Sequence, residues 1–439
     1  MIAVGGWAFW MVISRLSPAS EIGQATAIYS LVLLVTTITQ LGLEYPLLKK
    51  VNSSGSRTFG TVLAIELAIT AASILPIFLI LDNGYSTDSN HLWLAIGILV
   101  FSSLSFVGRF ALLGASNSKN VLIIDVVGIV LRFGLGIALV SLGFGVTGIL
   151  VGFLAQTVVA TVAALLIGGR RFGLGLGNRN TFRETIRDSL ANAPSKLSSM
   201  MIVSLSVVLL SLYGVADDEV GIFYIAVMLS VVAASFASSL AYMSIPASSE
   251  MKTDLSSGSL RLGLGFTAPI VAALVVAPGA ILSLVGDEYS RASEALIVLA
   301  SGILPAVVLS NAISKYNNVN RPSKLIAIGG IRLASFLIAF YLLVPMAGIL
   351  GASYAILLSF LTSISLTLVW SERNSFKLLG IATLSVGIGV IVGRLVELAT
   401  GSNPLVTILA TVLAASVVVF GLKCLSASEI ANIVRMIRR

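Results

Sequence analysis

The chain alternates long apolar runs with short connectors, and the charge of those connectors alternates too, basic then acidic or neutral. Lys49, Lys50 and Arg57 fall in one connector, Lys119 in the next basic one, then Arg170, Arg171, Arg179, Arg183, Arg187 and Lys196. The pattern continues with Lys252 and Arg261, with Lys315, Arg321 and Lys324, with Arg373 and Lys377, and with Lys423 and the arginines of the tail. The intervening connectors carry Asp82 and Asp88, then Asp217-Asp218-Glu219, then Asp287 and Glu288. A soluble fold gains nothing from such a rhythm. Insertion into a bilayer imposes it, because Lys and Arg are retained on the cytoplasmic side. The net charge of +8 is therefore a topology signal, not a footprint for nucleic acid. It predicts a multi-pass protein of the cytoplasmic membrane with both termini in the cytoplasm.

Composition agrees. Hydrophobic residues make up 57% of the 439 and charged residues 10%, against roughly 25% charged in soluble domains. With about 20 apolar residues needed per crossing, about fourteen runs can be drawn. They lie near 1–15, 22–43, 59–81, 92–114, 121–142, 145–168, 197–214, 221–245, 262–286, 294–314, 325–345, 347–370, 378–400 and 406–422. The first is short, so either the chain begins inside its first helix or the true start lies upstream. It lacks the basic leader and cleavage site of a signal peptide. One cysteine, Cys424, and one histidine, His91, argue against a disulfide within the chain and against a Cys/His metal site. No cofactor is implied. Short outer connectors, none of which brings a carboxylate pair together with other polar groups, and the lack of a P-loop or Gly-x-Ser-x-Gly, argue against an enzyme.

The longest cytoplasmic connector, 169–195, separates an N-terminal six-helix lobe, 1–168, from a C-terminal six-helix lobe, 196–370. Residues 371–422 supply two additional transmembrane helices, and 423–439 form a basic cytoplasmic tail that reads as an amphipathic surface helix. Two segments recur across the split. Glu21-Ile22-Gly23 opens the second run and Glu219-Val220-Gly221 the eighth. Gly145-x-x-Gly148-x-x-x-Gly152 opens the sixth and Gly348-x-x-Gly351-x-x-x-Ala355 the twelfth. The nearly equal offsets predict an all-α polytopic protein of two parallel-related six-helix bundles. The small residues themselves read as close helix packing.

A charge at the bilayer centre costs at least about 2.5–3.5 kcal/mol and needs a partner, a cavity or a route to the interface. Glu66 lies in the third run, Arg109 in the fourth, Asp125 and Arg132 in the fifth, Arg332 in the eleventh, and Arg394 and Glu397 in the thirteenth. Asp125 and Arg132 are two turns apart and share one helix face, which suits a shared cavity. Arg109, Arg332 and Glu397 read equally as interhelical ion pairs or snorkelling groups. Trp7, Trp10 and Trp93 are expected in interfacial belts, and Pro76, Pro269, Pro278 and Pro305 at kinks.

Several segments together resemble a polysaccharide-biosynthesis flippase of the multidrug/oligosaccharidyl-lipid/polysaccharide exporter superfamily. They are Ser14-Arg15-Leu16-Ser17-Pro18 before Glu21-Ile22-Gly23, Leu41-Gly42-Leu43, Glu219-Val220-Gly221 with Ala226, and Pro246-Ala247. Gly286-Asp287-Glu288-Tyr289 with Ala292, and Pro345 through Gly348, Gly351 and Ala352, complete the set. The chain departs from the pattern in its seventh run, where Ser204 to Val208 stand in place of a charged residue. The resemblance implies a V-shaped transporter of two six-helix bundles plus two extra C-terminal helices, which moves a lipid-linked oligosaccharide, on a polyprenyl phosphate or diphosphate, by alternating access. The alternative within the superfamily is an ion-coupled multidrug or small-molecule exporter. Arginine holds phosphate bidentately, so Arg15, Arg109, Asp125, Arg132 and Arg332 are the candidate cavity residues. Arg15 also reads as an interfacial anchor. Glu66, Asp125 and Glu397 are the candidates for H+ or Na+ coupling. The expected partners are the lipid-linked substrate and membrane lipids, with no nucleic acid, and the expected state is a monomer.

Overall fold

Inside a bilayer no water satisfies the backbone, so a run of apolar residues must close its own hydrogen bonds as a helix. The computed structural model describes residues 2–84, 88–251, 256–319, 321–370, 373–401 and 403–422, and it is helical nearly throughout. The first two stretches hold α1 (Ile2–Ile13), α2 (Ala19–Gln40), α3 (Glu44–Gly84), α4 (Ser89–Gly114), α5 (Ser118–Leu139), α6 (Gly145–Phe172), α7 (Arg179–Leu212) and α8 (Asp217–Met251). There follow α9 (Ser256–Val276), α10 (Pro278–Ser283), α11 (Ser293–Ser301), α12 (Ile303–Asn318), α13 (Pro322–Val369), α14 (Arg373–Thr400) and α15 (Pro404–Gly421). Ten helical stretches among the described residues are long and apolar enough to cross a membrane.

Two of those stretches are too long for one crossing. Residues Ser118–Phe172 form a 55-residue stretch, and α13 has 48 residues, about 72 Å if straight at 1.5 Å per residue. Both fold back on a glycine. Gly145 has φ 40 and ψ −121, and Gly348 has φ 53 and ψ −127, a region that side-chain-bearing residues rarely enter. The first hairpin is preceded by a π-helical turn, Val140–Phe144. With these two reversals, the short α1 and the apolar end of α7 (Ile202–Leu212), the about fourteen runs read from the sequence are accounted for.

The small residues do what close packing requires. A methyl group on Gly152 would meet the Gly136 Cα and the Arg132 carbonyl at 3.0 and 3.1 Å, and one on Gly148 would meet the Val140 nitrogen at 2.9 Å. The two limbs of each hairpin therefore touch backbone to backbone. The other repeated motif meets itself: a methyl group on Gly221 would lie 2.8 Å from the Gly23 nitrogen, and one on Gly23 would overlap the Asp217 carbonyl. Gln24 Nε2 donates to Asp217 Oδ2 at 3.0 Å beside this crossing.

The chain divides into two compact units, Met1–Tyr224 and Ile225–Arg439. The division falls inside α8, so the 169–195 connector lies within the first unit, where α7 packs on α2 and α3. One core of that unit gathers Leu43, Leu47, Phe59, Val62, Phe106 and Val107. In the second unit Leu309, Tyr316, Leu325 and Ile328 pack with Phe360 and Trp370, and Gly389 and Gly393 let α14 close on Thr411 of α15. Apolar side chains in the middle of long helices, such as Val130 and Ile338, remain exposed, as lipid-facing positions do. The expected tail helix, 423–439, and Pro246 lie outside the described residues or side chains.

Three sequence expectations change. Trp10 is 2% exposed and belongs to a packed aromatic cluster, not to an interfacial belt, whereas Trp93 is exposed. Pro278 does not kink a helix but begins one, because Ala277 (φ −133, ψ 52) separates α9 from α10. Pro305 stands in the first turn of α12, where its missing N–H is not needed.

Candidate functional site

The close contact of α6 with α5 at Gly152 sets the site. It brings Phe153, the next residue, against Arg132 on α5. The Arg132 guanidinium lies 5.0 Å from the Phe153 ring centre and 4.8 Å from that of Phe9 on α1. Gly6, one turn before on α1, leaves room for it: a methyl group there would stand 3.9 Å from Arg132 Nη2. Tyr29 of α2 stacks on Phe153 at 3.8 Å. Trp10 meets Phe9, Phe153 and Tyr224 with centroid distances of 5.5, 5.8 and 5.2 Å, and Phe133 meets Phe9 edge-on. Four helices of the first unit and the opening turns of α8 thus surround one cation with aromatic rings.

That cation is 4% exposed, and it makes no ion pair among the described residues. Its Nε and Nη2 are buried without a hydrogen bond. Cation–π contacts recover about 2 kcal/mol when desolvated, while an unmet buried donor costs about 1–3 kcal/mol and more when charged. Removing the ion from water costs several kcal/mol besides. The Phe9 and Phe153 rings, 5.6 Å apart, lie together on one side of the guanidinium and satisfy neither Nε nor Nη2. Chemically, a buried cation with two unmet donors suits an anion, with apolar and stacking surface around it.

The other candidate residues take different places. The two-turn spacing of Asp125 and Arg132 does not unite them, because each engages a different neighbour of α5. Asp125 reaches α4, where its two carboxylate oxygens accept from Arg109 Nη2 at 2.9 and 3.0 Å, and Arg132 reaches α1 and α6. The pair is half-buried, 30% and 14% exposed by side chain. Arg15 is exposed in the turn after α1. Glu66 is fully buried on α3 and accepts the Thr39 hydroxyl at 3.0 Å, with Ser103 3.3 Å from that hydroxyl. In the second unit Arg332, 5% exposed, lies 4.4 Å over the Phe360 ring across the α13 hairpin. Glu397 pairs with Arg394 at 2.7 Å on the wall of a cleft of about 380 Å³ shared with Pro278 and Thr407. No cluster of three or more metal-ligating side chains occurs among the described residues.

The sequence singles out Arg132 as an intramembrane charge but does not show its ring neighbours. The signal was faint: Phe153 follows the last glycine of the small-residue motif, and the side of the helix that motif packs on is the side of Arg132.

The comparisons with known proteins agree with this architecture. The family described as polysaccharide biosynthesis protein matches residues 12–294. No curated protein matches the chain. Among solved structures, lipid II flippase MurJ in an inward closed conformation is similar at TM-score 0.74 and 14% identity, over 95% of this chain and 96% of that one. A multidrug resistance MATE family transporter of the MOP superfamily, inward-facing, is similar at TM-score 0.61 and 16% identity, over 86% and 95%. The MATE multidrug transporter DinF-BH in complex with R6G is similar at 0.63 and 16%, over 85% and 93%. These identities speak to fold, and the family match spans well over half of the chain. The protein therefore belongs to the polysaccharide biosynthesis protein family and is a multi-pass membrane protein with the fold of MOP-superfamily flippases and exporters.

Proposed function

We propose that this protein is a flippase for a lipid-linked oligosaccharide. It binds a polyprenyl phosphate or diphosphate headgroup from the cytoplasm and releases it outside by alternating access of two six-helix bundles, 1–168 and 196–370. The observation that carries this reading is Arg132, a buried guanidinium beside two aromatic rings whose Nε and Nη2 donors are unmatched. A phosphate oxygen meets those donors with short charge-assisted bonds, and sugar rings suit the aromatic surround. The same buried cation disfavours a cationic drug as cargo.

In this reading both termini are cytoplasmic and the protein works as a monomer in the cytoplasmic membrane. We assign H+ or Na+ coupling to Glu66, a fully buried carboxylate inside a membrane span that accepts the Thr39 hydroxyl; Asp125 and Glu397 each pair with an arginine. The test is to express Arg132→Ala and Arg15→Ala variants in cells lacking the protein, and to measure surface glycan and lipid-linked precursor on the cytoplasmic face. Loss of surface glycan with accumulated precursor in Arg132→Ala is expected. Normal export at normal protein level in that variant would defeat the assignment.

A further inference from the structure

The segment between α6 and the apolar end of α7 carries exposed hydrophobic side chains that the transport reading leaves unused. Leu174 and Leu176 are 67% and 72% exposed, and on the first half of α7 so are Phe182, Ile186 and Leu190, at 43%, 36% and 53%. These last three recur every four residues, one helical face. Arg179, Arg183 and Arg187 recur at the same interval, are exposed, and make no ion pair among the described residues.

At 100° per residue the order around α7 is fixed. First comes a packed face, where Thr185 and Ser189 are buried. The Phe182–Ile186–Leu190 stripe follows, then the arginine row, then Glu184 and Asp188, which reach Lys50 at 3.7 and 2.8 Å. The acids are thus occupied on the far side, and the arginines flank the apolar stripe. The height of the segment is also fixed. Gly177 N–H donates to Thr61 Oγ1 at 3.0 Å, so the connector runs along α3 just inside its apolar stretch, Gly55–Asp82. The Asn178 side chain then caps α7 through the Thr181 N–H. An apolar stripe beside a basic row, held level with the start of a membrane span, is the pattern of a helix lying in the interface.

We propose that the first half of α7 is an interfacial anchor that binds anionic phospholipid headgroups through Arg179, Arg183 and Arg187, with Phe182, Ile186 and Leu190 in the acyl boundary. A lipid surface fits better than an acidic protein because the apolar stripe adjoins the face that meets the bundle, continuous with its lipid-facing side. The proposal does not depend on what is transported.

The experiment uses the full chain with Cys424→Ser, carrying Ile186→Cys labelled with bimane, in nanodiscs of phosphatidylcholine with or without phosphatidylglycerol. With phosphatidylglycerol, the label should be several-fold less accessible to aqueous iodide and more strongly quenched by headgroup-level nitroxide lipid. Arg179→Gln/Arg183→Gln/Arg187→Gln should abolish that lipid dependence, and the corresponding triple lysine variant should keep it. Because these side chains are exposed, the glutamine variant should stay monodisperse. Equal iodide access in both lipids would overturn the proposal and leave the face to a protein partner. Retention of the dependence in the glutamine variant would overturn the role of the arginines.

Discussion

The hairpins at Gly145 and Gly348 are the same device used to different ends. Their reversal angles agree within about 15°, the ordinary scatter of a regular element, and each holds a buried arginine on its first limb over a phenylalanine on its second. Yet Arg132 lies beside two rings of a wider aromatic cluster, with two donors unmet, whereas Arg332 lies over the Phe360 ring with one donor, Nε, unmet. Arg332 is also one helical turn farther from its glycine than Arg132 is. The repeat therefore preserves the backbone turn, which small residues enforce, and leaves the charged side chain free to diverge. A duplicated fold need not carry a duplicated site.

The strongest way to break that contrast is to remove each charge. Arg132→Met should lower export at least about tenfold, the worth of one lost charge-assisted hydrogen bond. It should also leave the melting temperature unchanged or raised, because replacing a buried, poorly matched ion by an apolar side chain is often stabilising by about 1–4 kcal/mol. Arg332→Met should leave export near the parental level. Surface glycan and thermal unfolding of the purified protein give the two readouts. If both variants lost export equally, the hairpins would be functional equivalents and the contrast would be wrong.

A single methyl group tests the turns themselves. An alanine at either glycine adopts a sparsely populated backbone region, costing of order 1–3 kcal/mol. At position 145 the added methyl group also meets the Glu21 carboxylate at 2.6–2.8 Å. In thermal unfolding Gly145→Ala and Gly348→Ala should each show at least that loss, and pairing Gly145→Ala with Glu21→Ala should recover the part that the carboxylate contact adds.

Much of this was legible in the chain, for identifiable reasons. Charge alternation and run length report the membrane fold because lipid imposes both. The glycine motifs at 145 and 348 pointed to the repeat because close helix contact and a left-handed turn each exclude side chains. Period alone could not say which neighbour α5 presents to Asp125 and which to Arg132, since that depends on how α4 and α6 flank it. Nor could it place Trp10, whose amphipathic ring suits an interface and a cage alike.

The smallest expected effect concerns the ion pairs, and it tests whether the first unit is special in Arg132 or in its charges at large. Asp125→Asn leaves Arg109 half-buried beside a neutral amide. A fully buried pair broken on one side costs about 3–5 kcal/mol, and the 30% exposure of Arg109 lets solvent reduce that to about 1–2 kcal/mol. Glu397→Gln in the second unit, where both partners are at least a third exposed, should cost below about 0.5 kcal/mol. Neither change touches the ring cage, so export corrected for protein level should be unaltered in both. If Asp125→Asn abolished export while stability fell by only that much, the carboxylate would belong to the transport cycle, and the division of labour between Asp125 and Arg132 along α5 would have to be redrawn.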